Sequence, residues 1–236
     1  MTESPVTLIT GASSGIGAAT ARLLLGLGHR VAVTARGEER LRRFAEDLAR
    51  PEAVLAVPGD ASEPAEVRAA VAATVERFGR LDNAVANAGF GAAGTLADGD
   101  PRQWRAMVLT NVLGPALLIN AALPELTRTR GRIVLVGSVA GQVTMPGNLY
   151  GATKWAVTAL AENTRRLVAG SGIGVTLVAP GRVDTDYWDR PGGTPRPDDA
   201  PMLTADQTAA SIVWALTRPP GVDVTAVTIR PTGQEI

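Results

Sequence analysis

The chain has no cysteine and a single histidine, His29. These absences exclude disulfides, thiol nucleophiles, Cys/His zinc sites and almost every Ser/His/Asp arrangement, and no metal site is expected. Aromatic residues make up only 4% of the 236 residues and hydrophobic ones 45%, so the core should be aliphatic, built from Ala, Val and Leu. Neither sign of charge is in excess: basic and acidic residues number 23 each, and no basic cluster is present to draw the chain to nucleic acid. No apolar run reaches the length expected of a membrane span, and residues 1–5 carry no basic stretch ahead of an apolar one. The expectation is a cytoplasmic protein with no nucleic-acid or membrane partner. Lysine is the most informative scarcity. Lys154 is the one Lys among 23 basic residues; where a generic cation serves, the chain uses Arg, so this position marks a site where a guanidinium would fail.

What is present is a regular alternation of short aliphatic runs and longer amphipathic stretches. Strands are expected at 6–10, 30–35, 53–58, 83–86, 132–137, 174–179 and 224–229, and helices near 15–28, 38–49, 64–78, 101–127, 148–169 and 204–217. The pattern is that of βα units, and seven strands suffice for one doubly wound parallel sheet of the α/β class. No linker, composition shift or repeat divides the chain, which favours a single domain over residues 1–236. Residues 181–201 are too rich in Gly and Pro for a helix. This loop follows the carboxyl end of the sixth strand, where ligands of open α/β sheets bind; a substrate lid and an ordinary surface loop are the two readings.

Four local patterns point to chemistry. Straight after the first strand comes Thr10, Gly11, Ala12, Ser13, Ser14, Gly15, Ile16, Gly17, leading into a helix. Glycines there allow a tight turn and let a phosphate approach the backbone at the positive end of the helix. The second strand ends in Ala35 and Arg36 rather than an acidic residue, so a guanidinium stands where a 2′-phosphate would lie and NADP is favoured over NAD; the alternative is one more solvated Arg. Tyr150 and Lys154, four apart on a helix, share a face, and a nearby ammonium would lower the phenol pKa and could reach ribose hydroxyls. Ser138, after the fifth strand, could polarise a carbonyl beside that tyrosine.

Taken together, these motifs resemble the classical short-chain dehydrogenases/reductases, in an NADP-preferring form. The resemblance covers essentially the whole chain and adds Asp60, Asn87-Ala88-Gly89, Asn111, and Pro180, Gly181, Val183 and Thr185. It implies a Rossmann-fold oxidoreductase, such as a carbonyl reductase, with strand order 3-2-1-4-5-6-7. Asn111, Ser138, Tyr150 and Lys154 would form the catalytic set. Asp60 and Ala61 would hold adenine, Asn87 to Gly89 would line the cofactor, and Val183 and Thr185 would meet the nicotinamide carboxamide. A tetramer or dimer through the helices near 101–127 and 148–169 is also implied. A non-catalytic NADP-binding regulator of the same fold is the alternative, opposed by the intact four-residue set. The expected substrate is a small carbonyl or alcohol compound, in a wall formed by Phe90, Val139, Gln142, Thr144, Met145, Leu149, Tyr187 and Trp188.

Overall fold

A computed structural model describes residues 4–234; the expectations for the extreme termini fall outside the described residues. The strands are β1 (Val6–Thr10), β2 (Arg30–Ala35), β3 (Val54–Pro58), β4 (Asn83–Ala86), β5 (Arg132–Val136), β6 (Gly174–Pro180), β7 (Val183–Asp184), β8 (Leu203–Thr204) and β9 (Ala226–Ile229). The helices are α1 (Gly15–Gly26), α2 (Glu38–Asp47), α3 (Pro64–Phe78), α4 (Pro101–Val108), α5 (Gly114–Thr129), α6 (Leu149–Leu167) and α7 (Ala205–Leu216). Seven strands form one parallel sheet in the order β3-β2-β1-β4-β5-β6-β9, the doubly wound arrangement expected from the sequence, with β9 as the seventh strand.

Both faces of this sheet are covered, and successive strand residues feed opposite cores. Leu8, Ala84, Ile133, Leu135 and Leu177 pack against α3, α5 and α6 through Val71, Leu118, Leu126 and Val157. Ile9, Val33, Val85, Val134 and Val178 pack against α1, α2 and α7 through Leu24, Phe44 and Ile212. His29 lies at the start of β2, at the opposite end of the strands from the carboxyl edge, 3.5 Å from the Thr7 hydroxyl, with its pKa lowered by burial and partly restored by Asp82.

Three features depart from the sequence reading. The helix expected over 101–127 is interrupted by a π turn, Leu109–Leu113. Pro115 has no N–H to close an ordinary turn onto the Asn111 carbonyl, so the backbone widens there. The uncharged run along α4 and α5 is, by length and composition, sufficient to cross a membrane, which corrects the expectation that no such run exists. Leu118, Ile119, Ala122 and Leu126 are nonetheless buried against the sheet, as a core helix requires. Finally, residues 181–201 are tied at both ends: β7 pairs in parallel with β8 just beyond the segment, and Thr204 and Gln207 close a capping box at the start of α7. Two-residue strands carry no periodicity to read.

Because Leu8 is fully buried in the central strand, Leu8→Ala should destabilise the fold by about 2 to 5 kcal/mol in denaturant unfolding, and a loss below ~1 kcal/mol would mean this core closes around the gap.

Candidate active site

The carboxyl ends of β1, β4, β5 and β6 open into one cleft of about 900 Å³. Its floor is the glycine turn between β1 and α1. Gly11 and Gly15 have φ of +65° and +53°, and a Cβ on Gly17 would lie 2.6 Å from the Gly11 carbonyl oxygen and from Asn87 Nδ2, so these positions need glycine. Asn87 fixes the turn from the neighbouring strand: its Nδ2 donates to the Thr10 and Gly11 carbonyls at 2.9 Å, and its backbone N–H donates to the Thr10 hydroxyl at 3.1 Å. The Ala88 N–H donates to the same hydroxyl at 3.1 Å. The first turn of α1 therefore faces the cleft with Ser14 at its N-cap, and no side chain of its own caps it.

At the next strand end, Arg36 is half-exposed and its Nη1 lies 3.9 Å from Asp60 Oδ2. The other Asp60 oxygen accepts the Ser62 N–H and hydroxyl at 2.8 and 2.7 Å, which shapes the turn that brings Ala61 to the cleft wall.

The opposite wall comes from β5, α6 and the π turn. Ser138 Oγ accepts the Ala140 N–H at 3.1 Å and caps a 3₁₀ turn, Val139–Gly141. A Cβ on Gly141 would strike the Lys154 carbonyl, so glycine there lets α6 approach this turn. Asn148 caps α6 by accepting the Gly151 N–H at 2.6 Å, which sets Tyr150 in the first helical turn facing Ser138. Lys154, one turn on, is 6% exposed; its Nζ donates to the Val136 carbonyl at 2.9 Å and lies 5.8 Å from the Tyr150 ring centre. The Asn111 side chain is fully engaged behind this wall, donating to Phe90 O at 2.9 Å and Thr153 Oγ1 at 3.0 Å and accepting the Phe90 N–H at 3.0 Å.

Burial dominates the electrostatics. It drives the Tyr150 phenol well above its ordinary pKa, Tyr187 adds to the rise, and the hydrogen bond with Ser138 opposes it. Burial also lowers Lys154 to about 8. The expectation that Lys154 depresses the tyrosine pKa is therefore not met in this structure: the ammonium is itself weakened by burial and its bond goes to a carbonyl.

The sequence-predicted site residues converge, with Gly17 and Asn111 just behind the cleft surface and the others on it. Of the expected substrate wall, Phe90, Val139, Met145, Tyr187 and Trp188 line the cleft, whereas Gln142, Thr144 and Leu149 do not. Gln142 instead donates to Thr228 Oγ1 of β9 at 2.9 Å. Sequence reasoning missed Arg40, Asp186, Arg190, Thr194 and Gln234. Gln234 accepts the Arg182 N–H at 2.9 Å and props the turn after Gly181, and Arg190 lies 3.6 Å over the Phe90 ring. None belongs to a local motif; for Arg40, Asp186, Arg190 and Thr194 the signal was their place on the arginine-rich α2 or in the Gly/Pro-rich loop, and Gln234, 52 residues from its partner Arg182, had none.

Comparisons with known proteins agree with this geometry. The family model described as short chain dehydrogenase matches residues 5–192. An uncharacterized oxidoreductase of Staphylococcus epidermidis is 35% identical over 231 residues, 97% of this chain and 98% of that protein. Another, of Staphylococcus haemolyticus, is 36% identical over 230 residues, 96% of each. Among solved structures, an alcohol dehydrogenase from the archaeon Thermococcus sibiricus complexed with 5-hydroxy-NADP superposes with a TM-score of 0.89 at 31% identity over 99% of both chains. The closed form of a serine dehydrogenase complexed with NADP+ gives 0.88 at 25% identity, covering 98% of this chain and 96% of that one. With its sheet order, its glycine turn and a family match over most of its length, the chain belongs to the short-chain dehydrogenase/reductase family of oxidoreductases.

Proposed function

We propose that the chain is an NADP(H)-dependent oxidoreductase that interconverts a small carbonyl compound and its alcohol, with Tyr150 as general acid and base. The observation that carries this reading is the convergence of Ser138, Tyr150 and Lys154 on one wall of a cleft whose floor is an anion-accepting glycine turn. The residues present fit a dinucleotide: Gly11 and Gly17 let the turn pack tightly against Asn87 and Ala88, where a Cβ would clash, and the first turn of α1 turns its backbone donors toward the cleft. Gly11, Ser13, Ser14, Gly15, Ile16 and Gly17 would hold its diphosphate, and Asp60 and Ala61 its adenine. Asn87, Ala88 and Gly89 would lie along its length, with Pro180, Gly181, Val183 and Thr185 at the nicotinamide. When bound, the nicotinamide supplies or accepts the hydride.

The protein's own groups handle the oxygen and the proton. Ser138 donates a hydrogen bond to the carbonyl oxygen, and Tyr150, kept protonated by burial, delivers its proton there in reduction and recovers it in oxidation. The Lys154 ammonium, already inside the cleft wall, orients the ribose hydroxyls with rotatable donors that a planar guanidinium would not supply. Since the Asn111 side chain is fully committed, its main-chain carbonyl in the π turn is the group left to hold a water leading from Lys154 to solvent. Residues 181–201 serve as the substrate lid, since Tyr187, Trp188 and Thr194 from this segment line the cleft. Val108, Leu113 and Trp155, exposed on the π-turn region and α6, favour a dimer or tetramer joined through those helices. NADP is favoured by Arg36 and by the NADP-type ligands of the two structural neighbours.

Three outcomes follow from these roles. Tyr150→Phe should lower kcat for carbonyl reduction by ~100-fold or more while NADPH titration stays near wild type, and retention of over about a tenth of kcat would remove Tyr150 from the role of acid. With Lys154 near 8 and Tyr150 protonated well above that, kcat/KM for reduction should fall as pH rises through about 8, because the neutral amine no longer holds the ribose; a flat profile to higher pH would reject the charged role. Arg36→Gln should cut the preference for NADPH over NADH by roughly ten- to a hundredfold, as loss of charge-assisted hydrogen bonds predicts, and equal wild-type affinities would defeat the NADP assignment.

A further inference from the structure

One carboxylate outside the predicted set stands on the cofactor floor. Asp186, from the loop after β7, accepts the Ser14 hydroxyl on Oδ1 at 2.9 Å and the Arg40 guanidinium on Oδ2 at 2.8 Å. Arg40, in the first turn of α2, also donates through Nε to Ser13 Oγ at 3.2 Å. Ser14 is the N-cap of α1, and a Cβ on Gly15 would lie 3.7 Å from Asp186 Oδ1. The carboxylate thus sits where the helix terminus and an arginine both favour negative charge. The pair is open to solvent, with side-chain exposures of 61% and 43%, so it is weak and exchangeable. Arg36, held only loosely by Asp60 at 3.9 Å, lines the same cleft.

We propose that Asp186 is a built-in competitor for the cofactor's phosphates, and that Arg40, released from it, joins Arg36 in gripping the 2′-phosphate. The inference rests on the NADP reading above and extends it to a second specificity-determining residue. A phosphate offers the same donors more oxygens and more charge than the carboxylate, so it displaces Asp186 from Ser14 and Arg40. An ionised carboxylate left beside the phosphates would repel them, so Asp186 swings away with its loop as the dinucleotide enters. The free enzyme thereby keeps its anion site neutralised, and the 2′-phosphate is favoured over a 2′-hydroxyl by two guanidinium groups instead of one.

The test is equilibrium titration of the wild type, Asp186→Asn, the double variant Asp186→Asn/Arg40→Gln, and Arg36→Gln with NADPH and with NADH, read by tryptophan fluorescence or calorimetry. Asp186→Asn should tighten NADPH by roughly tenfold and NADH by less, because removing the competitor frees Arg40 for the group that only NADPH carries. Adding Arg40→Gln to that background should weaken NADPH by roughly tenfold and leave NADH within about twofold. Asp186→Ser should repeat the first result, and thermal melts compare the fold of each variant. Weaker or unchanged NADPH binding in both Asp186 variants would overturn the competitor, the weaker case making Asp186 a clasp over bound cofactor. An unaltered NADPH to NADH ratio on adding Arg40→Gln would overturn the second grip. A preference abolished by Arg36→Gln but untouched by the Arg40 change would defeat this inference alone. Equal wild-type affinities that Arg36→Gln leaves equal would defeat the NADP reading itself.

Discussion

The parallel ladder between β1 and β4 is the contact that makes a site possible in this chain. It pairs Thr7 with Asn83, Leu8 with Ala84 and Ile9 with Val85, and it is where the strand order reverses, so the chain leaves β1 and β4 in opposite directions. A crevice opens at such a point because no crossover covers it. Thr10 and Asn87 convert the ladder's end into a fixed floor: one hydroxyl accepts two N–H groups from β4's exit, and one amide ties two carbonyls of the glycine turn. With those polar groups satisfied, the N–H groups of the first turn of α1 remain for a ligand.

On the other wall, burial is the organising force. An ammonium that is 6% exposed and bonded to one carbonyl loses hydration that nothing nearby restores, and its pKa falls to about 8. Arginine cannot respond to burial by giving up its proton in this range, whereas lysine can. The lone Lys154 thus stands where burial brings a cation's pKa down toward neutrality, which no arginine there would do. The same burial holds Tyr150 as a phenol, so acid and cation are tuned in opposite senses by one cause.

How much of this could be read from the sequence depended on distance along the chain. The seven strands of the sheet, their flanking helices and the Gly11 to Gly17 turn are written in local periodicity and in glycines whose role is decided within a few residues. Arg36 and the Tyr150/Lys154 pair are local too. The ion pair joining Arg40 to Asp186 spans 146 positions and has no local sign. The π turn was hidden because its cause, Pro115, reads as an ordinary first-turn proline, and Gln142 was misplaced into the substrate wall because its partner, Thr228, lies 86 residues away. Alternation and periodicity describe faces; they do not say which distant side chain meets a face.

The loop after β7 ties these two walls together. Asp186 and Tyr187 are adjacent in sequence, yet the first reaches Ser14 and Arg40 on the cofactor floor while the second packs its ring 6.0 Å from that of Tyr150 and approaches the Thr194 hydroxyl at 3.3 Å. Trp188 then anchors the segment by donating to the Val183 carbonyl at 2.8 Å. Asp186 can leave the glycine turn by rotating about its own side-chain torsions or by a shift of the loop backbone, and only the second route carries the Tyr187 ring relative to Tyr150. One short segment thus contributes to both ends of the cleft, with Asp186 against the glycine turn and Tyr187 on the wall beside Tyr150.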